Sequence, residues 1–274
     1  MTPGVGPCQR PGPTPWQNRG MPAPRLVAFD LDDTLAPSKS PLDPRMLETF
    51  ASLLEVVPVA VISGGNFEQF QQQLVTPLRK RADLRLDDLH LMPTCGTRYY
   101  RWEGDDWVLQ YAEDLTEDQK SRALAAVEAQ AKAAGYWESE TWGDVLEDRG
   151  SQITFSALGQ TAPVDVKKQW DPTGSKKDDL RRRVQAELPD LEVRSGGSTS
   201  VDITRKGIDK AYGMQRLAEI TAIALDDVLF VGDRLDPEGN DYPVKALGVP
   251  THAVEGWEDT DAFLRELVPT LRTA

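Results

Sequence analysis

The stretch Leu26-Val27-Ala28-Phe29-Asp30-Leu31-Asp32-Asp33-Thr34 decides how the chain is read, because an uninterrupted apolar run breaks abruptly into acidic residues. An apolar run without alternation describes a strand buried on both faces, as in a parallel sheet. A second run, Val228-Leu229-Phe230-Val231, ends similarly in Gly232-Asp233, with Asn240-Asp241 close behind. Carboxylates at the C-terminal ends of parallel strands stand where open α/β sheets place their ligands. Several of them together repel one another unless a divalent cation neutralises them, so the two stretches predict a magnesium site with a phosphate partner.

Working outward, Asp43-Pro44 opens a helix whose apolar positions Met46, Leu47, Phe50, Leu53 and Leu54 follow helical spacing, and Val59-Ala60-Val61-Ile62 is a second buried strand. Ser63-Gly64-Gly65-Asn66 then leads into a helix through Phe67 and Phe70 to Leu74. Strand, helix, strand, helix predicts a doubly wound parallel sheet. The middle of the chain differs. A capping box at Thr116 and Gln119 starts a helix that stops at Gly135, and a second, charged helix spans Lys176 to Leu188. Strand-like stretches at Tyr99 to Leu109, Gln152 to Ser156 and Leu191 to Val193 complete an α+β module inserted into the parallel domain. The expected division is a Pro- and Gly-rich disordered tail at 1–23, a core domain at 24–101 and 205–274, and an inserted domain at 102–204. Met21 is a candidate start. Tyr99, Tyr100, Trp102 and Trp107 are read as packing in a hairpin rather than as a sugar-stacking site.

Totals narrow the chemistry. With 274 residues and 39% apolar content, the chain can bury one large core or two modest ones. A formal charge of −13 argues against nucleic acid or an anionic membrane as partner, so an anionic substrate needs locally placed cations. Two cysteines give no disulfide framework, and two histidines leave no His-rich zinc site. Carboxylates must therefore carry any acid–base work. No stretch has the length of a membrane span, and a soluble, cytoplasmic protein is expected.

An Asp-x-Asp pair at a strand end offers one carboxylate to attack phosphorus and another to move the proton. Asp30 is the expected nucleophile and Asp32 the expected acid and base. Ser63, at a strand end before a Gly-Gly turn, is positioned to hold phosphoryl oxygens, and Lys210, near a helix start, to neutralise developing charge. Asp233 and Asp241 join Asp30 and Asp32 in the expected metal set, with Mg2+ as cofactor.

With Asp30-Leu31-Asp32-Asp33-Thr34, Ser63, Lys210 and Gly232-Asp233 with Asn240-Asp241 in order, the chain resembles the haloacid dehalogenase superfamily of aspartate-dependent phosphotransferases. That resemblance implies a Rossmann-like core, and the long insertion looks like its type IIB cap. Within the superfamily the chain is similar to the eukaryote-type phosphomannomutases, through Val61 to Glu68, Glu147 to Ser151, Ser156 to Gly159, Gly196 to Asp202, Gly207 to Lys210 and Pro237 to Asp241. By that resemblance Arg149, Lys167, Ser200 and Asp202 contact the substrate. Two departures stand out: Gln160 and Lys167 occupy places where the mutases carry arginine. Planar, doubly donating arginine grips a phosphate better than either, so the leading expectation is a phosphatase for a sugar phosphate or similar small phosphomonoester. The alternative is a phosphohexose mutase acting between mannose 1-phosphate and mannose 6-phosphate. A phosphoacceptor binding module has no use for the long insertion. Assembly as a homodimer is left open.

Overall fold

The computed structural model describes residues 23–81 and 84–273. In chain order the elements are β1 (Leu26–Phe29), α1 (Pro44–Leu54), β2 (Val59–Ile62), and α2 (Phe67–Phe70), which runs through a π-helical turn at Gln71–Val75 into α3 (Thr76–Leu78). There follow β3 (Leu89–Met92), β4 (Arg98–Glu103), β5 (Asp106–Ala112), α4 (Glu117–Ala133), β6 (Leu146–Asp148), β7 (Gln152–Ser156), α5 (Val164–Trp170) and α6 (Ser175–Glu187). The chain closes with β8 (Leu191–Ser195), β9 (Ser200–Arg205), α7 (Lys210–Thr221), β10 (Val228–Gly232), α8 (Tyr242–Ala246), β11 (Thr251–Ala253) and α9 (Trp257–Leu271).

The larger sheet has the order β11-β10-β1-β2-β3-β4-β5, parallel from β11 through β3 and antiparallel thereafter. Its central strands are covered on both faces, which explains their unbroken apolar runs. Because strand side chains alternate, Val27 and Phe29 pack with Met46 and Phe50 of α1 and Phe263 and Leu264 of α9. Leu26 and Ala28 pack on the opposite side with Met214 and Leu217 of α7 and Val244 of α8. This is the doubly wound core expected from the sequence. Asp43 caps α1 by accepting from the Arg45 N–H, with Pro44 in the first turn.

A division at 101–102 cuts β4. The β4–β5 hairpin extends the large sheet to Ala112, so the inserted module begins beyond it. Its aromatic residues serve packing: Tyr100 stacks on Phe67 at 3.7 Å between centroids, and Trp102 meets Trp107 edge to face. The insertion forms its own four-stranded antiparallel sheet, in the order β6-β7-β9-β8, with α4 and α6 against one face. Ile153, Phe155, Val201 and Ile203 point to those helices. Their neighbours Gln152, Thr154, Ser156, Ser200 and Asp202 must by alternation occupy the other face, which is polar. The expected tail and Met21 lie outside the described residues, apart from Ala23.

Candidate active site

The register of the large sheet assembles the candidate site at one end of its strands. Phe29 pairs with Val61 on one side and Val231 on the other, so Asp30, Ser63 and Asp233 emerge just beyond the same rung. Asp30 is 3% exposed; its Oδ1 accepts from the Leu31 N–H and lies 2.7 Å from Lys210 Nζ. Lys210, the first residue of α7 and 1% exposed, also donates to Asp241 Oδ1 at 2.5 Å. Asp241 is fully buried, and its Oδ2 accepts from the Arg234 N–H. Two glycines permit this approach. A Cβ on Gly232 would sit 2.4 Å from Asp241 Oδ2, and one on Gly213 would sit 2.8 Å from the Cys95 carbonyl.

Carboxylate oxygens of Asp30, Asp233 and Asp241 all come within 4.8 Å of one another, a set able to hold a metal ion. Burial pushes the Asp30 carboxyl well above its usual range, with Lys210 opposing and the Asp241 charge adding to the rise. Asp233 is raised by burial and by Asp241, against Lys210. For Lys210 burial opposes the charge, yet Asp30 and Asp241 outweigh it and hold the ammonium protonated. One lysine among three close carboxylates leaves excess negative charge, and hard oxygen donors suit a small divalent cation.

Asp32, expected in that metal set, stands apart from it. Its Oδ1 accepts from the Lys39 N–H at 2.8 Å and from Gln73 Nε2 at 3.2 Å, and its Oδ2 from Gln69 Nε2 at 2.7 Å. Gln69 and Gln73 are one helical turn apart, and Gln73 lies in the π-helical turn. Such turns recur at functional sites. The carboxylate is thus oriented by donors rather than clustered with other acids. Ser63 is 3% exposed and accepts from the Gly65 N–H through Oγ.

The polar face of the inserted sheet closes over this end. Arg149 Nη1 donates to the Gly64 carbonyl at 2.8 Å, Nη2 pairs with Glu147 Oε2, and Glu147 Oε1 accepts from Asn66. Arg149 therefore grips the turn after Ser63, while its buried Nε has no partner among the described residues. Asp202 accepts from Thr154 Oγ1 at 2.8 Å. Burial raises its carboxyl, with the nearby Arg149 charge opposing. Ser200 lies on the same face, opposite Ser156. Lys167, in α5, donates to the Gln160 carbonyl at 3.0 Å. Burial lowers it to about 8, helped by the Lys39 charge and opposed by Asp32.

The structure thus gathers Asp30, Ser63, Lys210, Asp233 and Asp241 at one sheet end, and brings Arg149, Lys167 and Asp202 toward it from the insertion. Sequence reading missed Gln69, Gln73, Asn66, Glu147 and Lys39. The glutamines left a trace in the run Gln69 to Gln73, spaced to face one side of a helix. Lys39, alone in a Pro- and Ser-containing loop, left none.

The model of the eukaryotic phosphomannomutase family matches residues 46–270, most of the chain. The chain belongs to this family. A probable phosphomannomutase of Caenorhabditis elegans is 25% identical over 262 residues, covering 90% of this chain and 96% of the relative. The phosphomannomutase of Schizosaccharomyces pombe is 24% identical, covering 88% and 93%. Among solved structures, N-terminally truncated, IMP-bound Plasmodium falciparum IMP-nucleotidase superposes with a TM-score of 0.65 at 15% identity, covering 90% of this chain and 68% of that one. A haloacid dehalogenase-like hydrolase from Bacteroides thetaiotaomicron gives 0.59 at 15% identity, covering 89% and 99%. These two are likenesses of fold. The chain is an enzyme of the haloacid dehalogenase phosphatase and phosphotransferase type. The family match starts after Asp30 and Asp32, which stand in the loop that follows β1.

Proposed function

We propose that the protein is a Mg2+-dependent phosphatase of sugar phosphates or similar small phosphomonoesters, working through an aspartyl phosphate on Asp30. The observation that carries this reading is the buried meeting of Asp30 with Lys210 and two further carboxylates at the sheet end. Asp30, Asp233 and Asp241 would hold the Mg2+, which when bound offsets the repulsion between the nucleophile and the substrate phosphate. An Asp30 oxygen attacks phosphorus while Asp32 gives its proton to the departing alkoxide oxygen. Asp32, now a carboxylate, takes a proton from water, whose oxygen attacks the same phosphorus and releases Asp30 and inorganic phosphate. Lys210 and Ser63 steady the phosphoryl oxygens. Arg149 and Asp202 hold the sugar, with Ser200 and Lys167 toward its far end.

The family assignment favours a second reading, a phosphohexose mutase in which the aspartyl phosphate is passed to another hydroxyl of the sugar. Gln160 and the single ammonium of Lys167 support the phosphatase, since they offer a distal phosphate fewer paired donors than arginines do. Phosphorus NMR separates the readings. With Mg2+ and mannose 6-phosphate, steady growth of inorganic phosphate that Asp30→Asn abolishes supports the phosphatase. Interconversion of mannose 1-phosphate and mannose 6-phosphate, dependent on catalytic hexose 1,6-bisphosphate, makes the protein a mutase.

A further inference from the structure

We propose that Lys39 is a positioning residue that latches the inserted domain over the catalytic aspartates through Gln160 while its own backbone holds Asp32. The catalytic consequence rests on the function proposed above; the latch itself does not. Lys39 belongs to the loop after β1, and its Nζ crosses to the insertion, where it donates to both the carbonyl and the Oε1 of Gln160 at 3.0 Å. At the other end of the same residue, the N–H donates to Asp32 Oδ1. One residue thus ties the position of the insertion to the orientation of the carboxylate that moves the proton.

Three features indicate that this tie is built rather than incidental. Lys39 has φ of +55°, a left-handed conformation that lysine seldom adopts and that persists only where its surroundings require it. Lys167 Nζ meets the same Gln160 carbonyl, so two ammonium groups from opposite sides of the cleft converge on one neutral residue. Neither has a carboxylate within ion-pair distance among the described residues, and partial desolvation of each ammonium together with a neighbouring cation lowers the pKa of both. Finally, Gln160 turns its amide oxygen to Lys39 and leaves its buried Nε2 without a partner among the described residues. The reverse orientation would set an amide donor against an ammonium, so the latch selects this one. The freed Nε2 is a neutral donor for a substrate oxygen.

The latch has a chemical consequence. A neutral amide at 160 lets the insertion close on the core without an anion between the two lysines, so a substrate with a single phosphate meets a closed site. A cation at 160 would face two ammonium groups and hold the domains apart until an anion bridged them.

Hydrogen exchange of the full chain tests the latch without reference to activity. Lys39→Met should speed exchange in 157–161 and in 36–40, Gln160→Ala should do the same, and the double variant should add nothing further. Gln160→Glu should slow both segments and Gln160→Lys should speed them, and both effects should shrink in the Lys39→Met background, where Lys167 still faces position 160. In turnover of p-nitrophenyl phosphate with Mg2+, Lys39→Met should lower kcat about tenfold, while Lys39→Arg should recover most of it. Unchanged exchange at 157–161 in Lys39→Met, or additive effects in the double variant, would overturn the latch. Coupled exchange in a protein that neither releases nor transfers phosphate from hexose phosphates would keep the latch and remove the proposed function.

Discussion

The two halves of the site are built on opposite plans. At the sheet end, Asp30, Lys210 and Asp241 are nearly or fully buried, and the lysine joins both acids through short charge-assisted bonds. Strand register fixes where these residues emerge, and glycines at 213 and 232 clear the space. Where the insertion meets the core, Lys39 is exposed, Lys167 and Gln160 are half-buried, and the lysines donate to uncharged oxygens while repelling each other. The first half, to which the proposed function gives the phosphoryl transfer, is held by buried ion pairs. In the second, long side chains reach across a cleft and leave donors on Gln160 and Arg149 without a partner among the described residues, and the proposed function gives this half the choice of substrate. Buried unpaired donors are costly, and under the proposed function a substrate oxygen would supply the missing acceptor.

If that contrast is right, substitutions in the first half should cost far more than those in the second. Asp30→Asn should lower kcat by about 10⁴-fold or more, since the amide forms no aspartyl phosphate. Steady-state phosphate release measures this, and retention of even about a tenth of the activity would move the nucleophile elsewhere. Lys210→Met should also unfold more easily. It leaves close, buried carboxylates without their cation, at a cost of about 3 to 5 kcal/mol in denaturant titrations run with a chelator. Mg2+ should restore part of that loss by supplying the missing positive charge at Asp30, Asp233 and Asp241. Equal stability with and without Mg2+ would break the assignment of those acids to a metal.

The same contrast explains what the sequence disclosed. β1, β2 and β10 were legible because a strand buried on both faces writes an unbroken apolar run, and the acids at the ends of β1 and β10 and Ser63 at the end of β2 follow directly. Lys210 was legible from its surrounding motif alone. The β4–β5 hairpin was recognisable as strands, yet its alternation states only that one face is covered, not which sheet supplies the neighbour. Alternation alone therefore assigns most of it to the insertion, although it extends the core sheet. Asp32 looked like a metal ligand because spacing puts it beside Asp30, whereas Gln69 and Gln73, from a later helix, claim its oxygens. Contacts across the cleft, such as Asn66 with Glu147 and Lys39 with Gln160, join residues 81 and 121 positions apart and leave no local periodicity to read.

Within the second half, Arg149→Lys should lower kcat/KM about ten- to a hundredfold, mostly through KM. Lysine keeps the charge but cannot reach both the Gly64 carbonyl and Glu147 with a fixed fork. A fall in kcat alone would show that Arg149 acts on the reacting phosphate instead.

The smallest and sharpest effect belongs to Lys167, whose pKa is lowered from 10.5 to about 8, chiefly by burial and then by Lys39. Below about pH 8 the ammonium is charged, and as pH rises through that value the charge is lost. For a substrate with an anionic far end, kcat/KM should therefore decline between about pH 7 and 9, and Lys167→Arg should remove that limb because guanidinium stays charged. Stability has the opposite sign. Between about 8 and 10.5 the unfolded chain binds more protons at this position than the folded one, so stability rises with pH across the window. Lys167→Met should accordingly raise Tm at neutral pH, with the gain fading as pH approaches 10.5. A Tm gain that persists unchanged at high pH would trace the effect to packing. It would remove charge at Lys167 from the account and leave Lys39 as the cation that faces Gln160.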